Sequence, residues 1–373
     1  MYTEQNLVRV AKRENNSKRN YLVVNRLQGK HIPVRPAEAL AMFCALADTV
    51  RGAYEGEKLL VIGFAETATA IGAAVAAELG VDYMQTTRET LSGVEYLYFS
   101  EEHSHATEQK LVRDDIDIAA GSIDRILFVE DEVTTGKTIL NSIAVLKKQY
   151  SDNIKFSVAS VLNGMDRAAL DTFKDSGIEL FWLVKTDHAA YARTAKAYRG
   201  DGTYIVCKNS RAPEDVSLCG IEHIKTDGHM NARRLVSSAA YQQYCAELCG
   251  SIAAQADIRF AHRVLVLGTE EYMYPALLAA SRLEAQGKDV WFHATTRSPI
   301  AVSTEPDYPL HARYELSSLY DSGRTTYIYD LQKYDTVVIM TDAEGDLTAG
   351  VDALARALRL CGNERILLVG NRR

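Results

Sequence analysis

No run of 18 apolar residues occurs in this chain, so no membrane-spanning helix is expected. The first twenty residues, Met1 to Asn20, are polar and charged and lack the apolar core of a signal peptide. Cysteine is sparse. Cys44, Cys207, Cys219, Cys245, Cys249 and Cys361 make six, with no C-x-x-C pair. Cys245 and Cys249 stand four apart on an expected helix, a spacing that suits packing better than a zinc site. Scattered cysteines fit a reducing cytoplasm. Positive charge is also lacking: the net charge is −7, which disfavours broad or specific nucleic-acid binding. An anionic substrate must then be held by local donors and a divalent cation.

Apolar residues are plentiful. At 47% they suffice for full cores, and 373 residues suggest two domains of ~150 residues each. Residues 21–35 read as a strand, a turn at Gly29 and a second short strand. A helix is expected over 36–54, with Pro36 suited to its first turn. Strands are expected at 58–63, 83–86, 94–99, 126–130, 155–162 and 180–184, alternating with helices. This alternation predicts an α/β fold with a mostly parallel sheet. Residues 208–227 lose periodicity and read as an irregular connector. A helix over 231–256 then leads into a second α/β unit, with strands at 263–267, 290–294, 336–340 and 365–369 and helices at 274–286 and 347–360.

The stretch from Ile126 to Thr138 carries the most chemistry. Four apolar residues fit a buried strand, and Glu130 and Asp131 follow at its end. A turn of Thr134, Thr135, Gly136, Lys137 and Thr138 then opens a helix. Loop amides and the helix dipole, roughly half a positive charge, suit a phosphate. The carboxylates suit the hydroxyls of a sugar. Gly136-Lys137-Thr138 also looks like the end of a P-loop, but that motif needs glycine where Asp131 stands. The bland alternative is an acid-capped strand-to-helix turn.

This stretch resembles the signature of type I phosphoribosyltransferases, which bind phosphoribosyl pyrophosphate (PRPP). The resemblance implies a 5′-phosphate on Thr134 to Thr138 and ribose hydroxyls on Glu130 and Asp131. Gly63, Phe64, Ala65, Glu66 and Thr67 open a second strand-to-helix turn, in the family's place for a pyrophosphate loop. An ordinary turn capped by Thr67 or Thr69 is the alternative. Arg88, after the next strand, can grip pyrophosphate through paired donors; otherwise it is a surface arginine. Residues 99–111 form a polar interval between apolar strands, where the related enzymes carry a closing loop. His103 and His105 there are candidate donors to the leaving pyrophosphate, oriented by Glu101 or Glu102. A zinc site lacks further ligands nearby, and a solvated loop is the remaining alternative. Magnesium is the implied cofactor, held mainly through PRPP.

Leu27 to Val34, Gly63 to Thr69, Glu102 to Ala106, the 126–138 stretch and Thr296-Arg297-Ser298-Pro299 together resemble one bacterial family. Its members are the orotate-phosphoribosyltransferase-like proteins of tellurium-resistance and stress gene clusters, with a C-terminal TRSP module. The resemblance implies a phosphoribosyltransferase domain with an N-terminal hood-like segment over 1–227 and a TRSP-like α/β domain over 228–373. It implies PRPP and a small-molecule acceptor as ligands, and stress-cluster proteins and a second copy as partners. The lysine-rich loop of orotate enzymes is not evident, which leaves the acceptor open.

The two halves look alike. Leu59 to Glu66 parallels Val264 to Glu271, Thr86-Thr87-Arg88 parallels Thr295-Thr296-Arg297, and Ile126 to Asp131 parallels Val337 to Asp342. A degenerate second copy of the first fold is expected, with matching strand order. The alternative is that any two α/β units share strand–Gly–helix turns. The second half lacks the Thr-Thr-Gly-x-Thr pattern, so no PRPP is expected there. Glu271, Arg297 and Asp342 are expected to line a second pocket, or Arg297 to face the first domain or form a structural ion pair. Two functions stay open: phosphoribosyl transfer to a nitrogen acceptor, and a non-catalytic PRPP or nucleotide sensor acting through the C-terminal domain.

Overall fold

The computed structural model describes residues 1–14, 19–99, 109–150, 153–208, 220–226 and 230–371. The polar start of the chain is ordered structure. A short helix α1 (Glu4–Leu7), capped by Thr3, leads into β1 (Val8–Lys12), which pairs antiparallel with β2 (Tyr21–Asn25). Leu7, Ala11, Val23 and Val24 are buried under this ribbon. A few well-placed apolar side chains therefore anchor a segment that composition reads as polar. Helix α2 (Pro36–Val50) follows, with proline in its first turn as expected.

The alternating pattern then gives β3 (Leu59–Gly63), α3 (Thr69–Leu79), β4 (Asp82–Gln85), β5 (Tyr96–Tyr98), β6 (Lys110–Val112), α4 (Arg113–Ala120) and β7 (Arg125–Val133). After these come α5 (Lys137–Gln149), β8 (Lys155–Asn163), α6 (Arg167–Asp175), β9 (Glu179–Lys185) and α7 (Tyr191–Ala197). Strands β4-β3-β7-β8-β9 pair in parallel. Val61, Ile62, Leu127, Phe128 and Val158 are almost fully buried, as strands covered on both faces require. Strand β5 does not join this sheet; it forms a separate antiparallel hairpin with β6. Glycine permits the tightest helix approach: a Cβ on Gly72 would collide with the Gly63 backbone.

The rest of the chain forms β10 (Thr203–Val206), β11 (Ile221–Thr226), β12 (Val236–Ser237), α8 (Ser238–Ala253), α9 (Ala256–Phe260), β13 (Arg263–Gly268) and α10 (Tyr274–Ala285). It ends with β14 (Asp289–Ala294), β15 (Ala312–Ser317), β16 (Thr325–Tyr329), β17 (Thr336–Met340), α11 (Thr348–Leu360) and β18 (Ile366–Asn371). A second parallel sheet has the order β11-β18-β17-β13-β14. The order β4-β3-β7-β8 thus recurs as β14-β13-β17-β18, and β15–β16 is the counterpart of the β5–β6 hairpin. The fifth place differs: β9 follows β8 in the chain, whereas β11 precedes its whole sheet.

Pairing crosses residue 227 in both directions. Strand β12 adds antiparallel to β4 of the first sheet, while β10 and β11 join β15 and β18. The expected irregular connector at 208–227 therefore contains an edge strand, Ile221–Thr226, mostly exposed and lacking a clear apolar face. The helix expected from 231 begins at Ser238, because Val236 and Ser237 are spent on the first sheet. One apolar core runs through both halves, and α3 packs on α10 and α8. Tyr83, Tyr241, Tyr244 and Tyr274 adjoin one another ring to ring across it.

Candidate active site

Strand β7 is buried from Arg125 to Val129 and then opens at Glu130, Asp131 and Glu132. These three carboxylates stand at the carboxyl end of the central strand, beside β3, where open parallel sheets bind ligands. Burial, and then the neighbouring Asp131, push the Glu130 carboxyl well above its ordinary pKa. Asp131 is held by two donors: Thr67 Oγ1 at 2.8 Å and Gln28 Nε2 at 3.4 Å. Gln28, nearly fully buried, also donates to the Thr67 carbonyl at 2.8 Å. The hood segment therefore ties the 63–67 turn to the acidic tip. Glu132 takes a bidentate pair from Arg19 at 2.7 and 2.8 Å.

Two helix N-termini flank these acids. Gly136 precedes α5 in the left-handed region (φ 68°), and no side chain caps the helix. A Cβ at Gly136 would meet the Phe173 ring, so only glycine fits. The amides of Thr135, Gly136 and Thr138 find no acceptor among the described residues. Helix α3 likewise has no side-chain cap, and the Glu66 and Thr67 amides just before it have no acceptor among the described residues. Orphan amides at a helix start are a ready site for an anion. Lys137 begins α5 and is exposed.

Glu66 departs from a simple loop role. It is buried and ion-paired with Lys30 at 2.7 Å and Arg297 at 3.3 Å. Burial alone would raise its pKa, but Lys30 and Arg297 outweigh burial and bring it to about 2. Phe64 and Ala65 are also buried, so what the 63–67 turn can offer an anion is backbone. Arg88 is not a surface arginine. Burial lowers its pKa against the pull of Glu66, and its Nε has no hydrogen-bond partner. Burial, and then Arg19 and Arg88, lower the pKa of Arg13. His103 and His105, with Glu101 and Glu102, lie outside the described residues.

Sequence reasoning assigned no role to Gln28, Lys30, Arg13, Arg19, Glu132 or His188. The last stands by a cavity of about 520 Å³ at the ends of β8 and β9, lined also by Met165, Lys185 and Asp187. His188 meets Tyr21 Oη at 3.0 Å and Thr186 Oγ1 at 2.8 Å, stacks on Tyr191, and lies 3.5 Å from Glu132. The only sequence signal for these groups was the Gln-Gly-Lys-His run at 28–31.

In the second half, Glu271 and Arg297 are buried between the halves. Arg297 reaches Glu66, Glu89, Glu270 and Glu271. Asp342 does line a cavity, of about 430 Å³, together with Glu89, Asn231, Arg233, Tyr320 and Glu344. Its carboxylate is already engaged: Tyr320 Oη donates to it at 2.5 Å and Arg233 ion-pairs with it.

An acidic strand tip between two anion-ready helix starts, on a 2-1-3-4-5 parallel sheet, defines a sugar-phosphate-handling α/β domain. The family comparison agrees: residues 7–192 match the phosphoribosyl transferase family, and residues 233–358 match the TRSP domain found C-terminal to it. The chain belongs to the phosphoribosyl transferase family whose members carry a TRSP domain at the C-terminus. Among solved structures, it is similar to adenine phosphoribosyltransferase from Trypanosoma brucei (17% identity, 48% of this chain and 76% of that one, TM-score 0.34). It is also similar to the Leishmania tarentolae adenine enzyme (17%, 49% and 85%, 0.35) and to orotate phosphoribosyltransferase from Aeropyrum pernix (18%, 47% and 87%, 0.32). No curated protein sequence matches the chain. No described helix is long and apolar enough to cross a membrane.

Proposed function

We propose that the first half binds PRPP and transfers its phosphoribosyl group to a nitrogen acceptor. The observation that carries this is the meeting of Glu130 and Asp131 with two uncapped helix N-termini at one sheet edge. The 5′-phosphate takes the amides of Thr134 to Thr138. The pyrophosphate takes the amides at Glu66 and Thr67, with Arg88 beside it. Asp131 and Glu130 accept from the ribose hydroxyls. The acceptor nitrogen attacks the anomeric carbon and later loses a proton, while pyrophosphate leaves with the electron pair of the broken C–O bond. Positive charge that builds on the ribose is met first by the Asp131 carboxylate, which Thr67 and Gln28 fix in place beforehand. His103 and His105 remain the proposed donors to the departing pyrophosphate.

Magnesium would supply further positive charge at the pyrophosphate, and the oxygen donors of Glu130 and Asp131 fit that hard cation. Among the described residues no three His, Cys, Asp or Glu side chains converge as a metal cage, so PRPP itself would furnish most ligands. The cavity beside His188 is the proposed room for the acceptor. A cytoplasmic role beside tellurium-resistance and stress proteins is part of the proposal, resting on the sequence resemblance carried by runs such as Thr296-Arg297-Ser298-Pro299.

The test is calorimetry with magnesium and PRPP, then pyrophosphate release across a panel of nucleobases and small amines. No binding would overturn the proposal. Binding without release would favour the sensor function instead. One observation supports that second function: Glu271 of the C-terminal half holds the Arg88 turn directly.

A further inference from the structure

The halves correspond in hydrogen bonding as well as strand order. Thr86 N donates to the Gly63 carbonyl at 2.9 Å, and Thr295 N to the Gly268 carbonyl at 3.0 Å. Ala65 N donates to Thr86 Oγ1 at 2.8 Å, and Glu270 N to Thr295 Oγ1 at 2.9 Å. Thr87 exchanges two backbone bonds with Lys110 of the first hairpin, and Thr296 does so with Tyr327 of the second. Glu66 is therefore the counterpart of Glu271, and Arg88 of Arg297.

These counterparts contact one another crosswise. Arg297 N donates to Glu66 Oε1 at 3.2 Å, and Arg88 N donates to Glu271 Oε1 at 2.9 Å. Each glutamate also carries one buried cation from a segment before the strand that leads to it: Lys30, ahead of β3, on Glu66 and Arg233, ahead of β13, on Glu271. Helices α3 and α10, which are counterparts too, pack on each other. A contact in which i meets j while the counterpart of i meets the counterpart of j is the signature of a two-fold interface. Here both sides of it lie in one chain.

We infer that the C-terminal half is a built-in partner subunit for the first-half site, with Glu271 as the positioning residue that fixes the turn bearing Arg88. Glu271 accepts from the Arg88 amide and from Thr87 Oγ1, at 2.7 Å, so it sets the backbone from which Arg88 projects. Arg297 performs the matching task on the 63–67 turn through Glu66. The consequence for substrate rests on the PRPP proposal; the positioning itself does not.

The experiment uses the full chain and reads two quantities: hydrogen exchange of residues 64–68 and 86–90 without ligand, and PRPP affinity with magnesium. Glu271→Ala deletes both acceptors and is expected to speed exchange at 86–90 by about tenfold or more, the worth of one or two hydrogen bonds. Glu271→Gln keeps one oxygen for the Arg88 amide but turns an NH2 toward Thr87 and Arg233, so its exchange at 86–90 should fall between wild type and the alanine variant. PRPP affinity should fall about tenfold in the alanine variant and less in the glutamine one. If Glu271→Ala does not fold, Thr87→Val removes one donor only and should move the same amides in the same direction. Unchanged exchange at 86–90 in Glu271→Ala, or in Thr87→Val where the alanine variant does not fold, overturns the inference. Altered exchange in a protein whose wild type ignores PRPP sustains it and overturns only the substrate assignment.

Discussion

At the first sheet tip, Asp131 is braced by Thr67 and Gln28, and the Thr135, Gly136 and Thr138 amides at the start of the helix that follows find no acceptor among the described residues. At the second, Asp342 stands in the same register, two residues beyond the pair Gly268–Met340, as Asp131 does beyond Gly63–Val129. There Arg233 and Tyr320 occupy the carboxylate, and Asp346 accepts from Thr348 N at 3.0 Å at the start of α11. The protein has supplied its own cation and its own anion where the first half leaves room for a ligand's. One ancestral tip geometry can thus serve as a site or as a structural joint, depending on whether its charges are satisfied internally.

Four substitutions or conditions would break or sharpen that contrast. The largest effect is expected where an internal charge pair is cut. Arg233→Ala leaves Glu271 and Asp342 without their shared guanidinium, and should cost about 3–5 kcal/mol in denaturant unfolding. A loss below about 1 kcal/mol would show that the second tip is not held together this way. Next, Asp131→Ala should weaken PRPP about a hundredfold by calorimetry, from two lost hydrogen bonds to a charged acceptor, while Asp342→Asn should leave affinity within about twofold. Equal effects would remove the asymmetry. Third, Gly136→Ala should destabilise the fold by about 3 kcal/mol, because it adds a clash with Phe173 to an unfavourable φ. Gly345→Ala, at φ 90° with nothing near its Cβ, should cost about 1 kcal/mol.

The last effect is one of pH. His31 and His293 are buried near the joint between the halves. Burial, first of all, lowers their pKa values to about 3 and about 4. A depressed histidine lets the unfolded chain take up a proton that the folded one refuses. Stability from each is therefore full above pH ~6.5 and falls as pH drops toward the folded value, by about 1.4 kcal/mol per pH unit per histidine. Melting scans from pH 7 to 5 should show the decline, and His293→Asn should make it shallower.

The α/β alternation, the first-half strands from residue 58 onward and the 126–138 tip were legible because buried parallel strands are continuous apolar runs with polar punctuation. The crosswise pairing of Glu66 with Arg297 and of Glu271 with Arg88 was not. A hydrogen bond between residues 231 or 183 apart leaves no local pattern, although the parallel Thr-Thr-Arg turns did reveal the repeat. The hairpin β15–β16 and the edge strand β11 were missed because strands of mixed polarity resemble loops. Gln28 and Lys30 are polar residues around an expected turn, yet both are buried, Gln28 against the acidic tip and Lys30 in the joint.

The pairing of β11 with β18 bears on how the molecule is made. Ile221–Thr226 borders no described strand but the last one in the chain, Ile366–Asn371. During synthesis the first sheet can assemble while the chain is still emerging, whereas β11 must wait unpaired until Ile366–Asn371 has been made. An open strand edge of that kind invites pairing with another nascent chain. Its short length and the polar residues Glu222, His223 and Lys225 act as a guard over that interval.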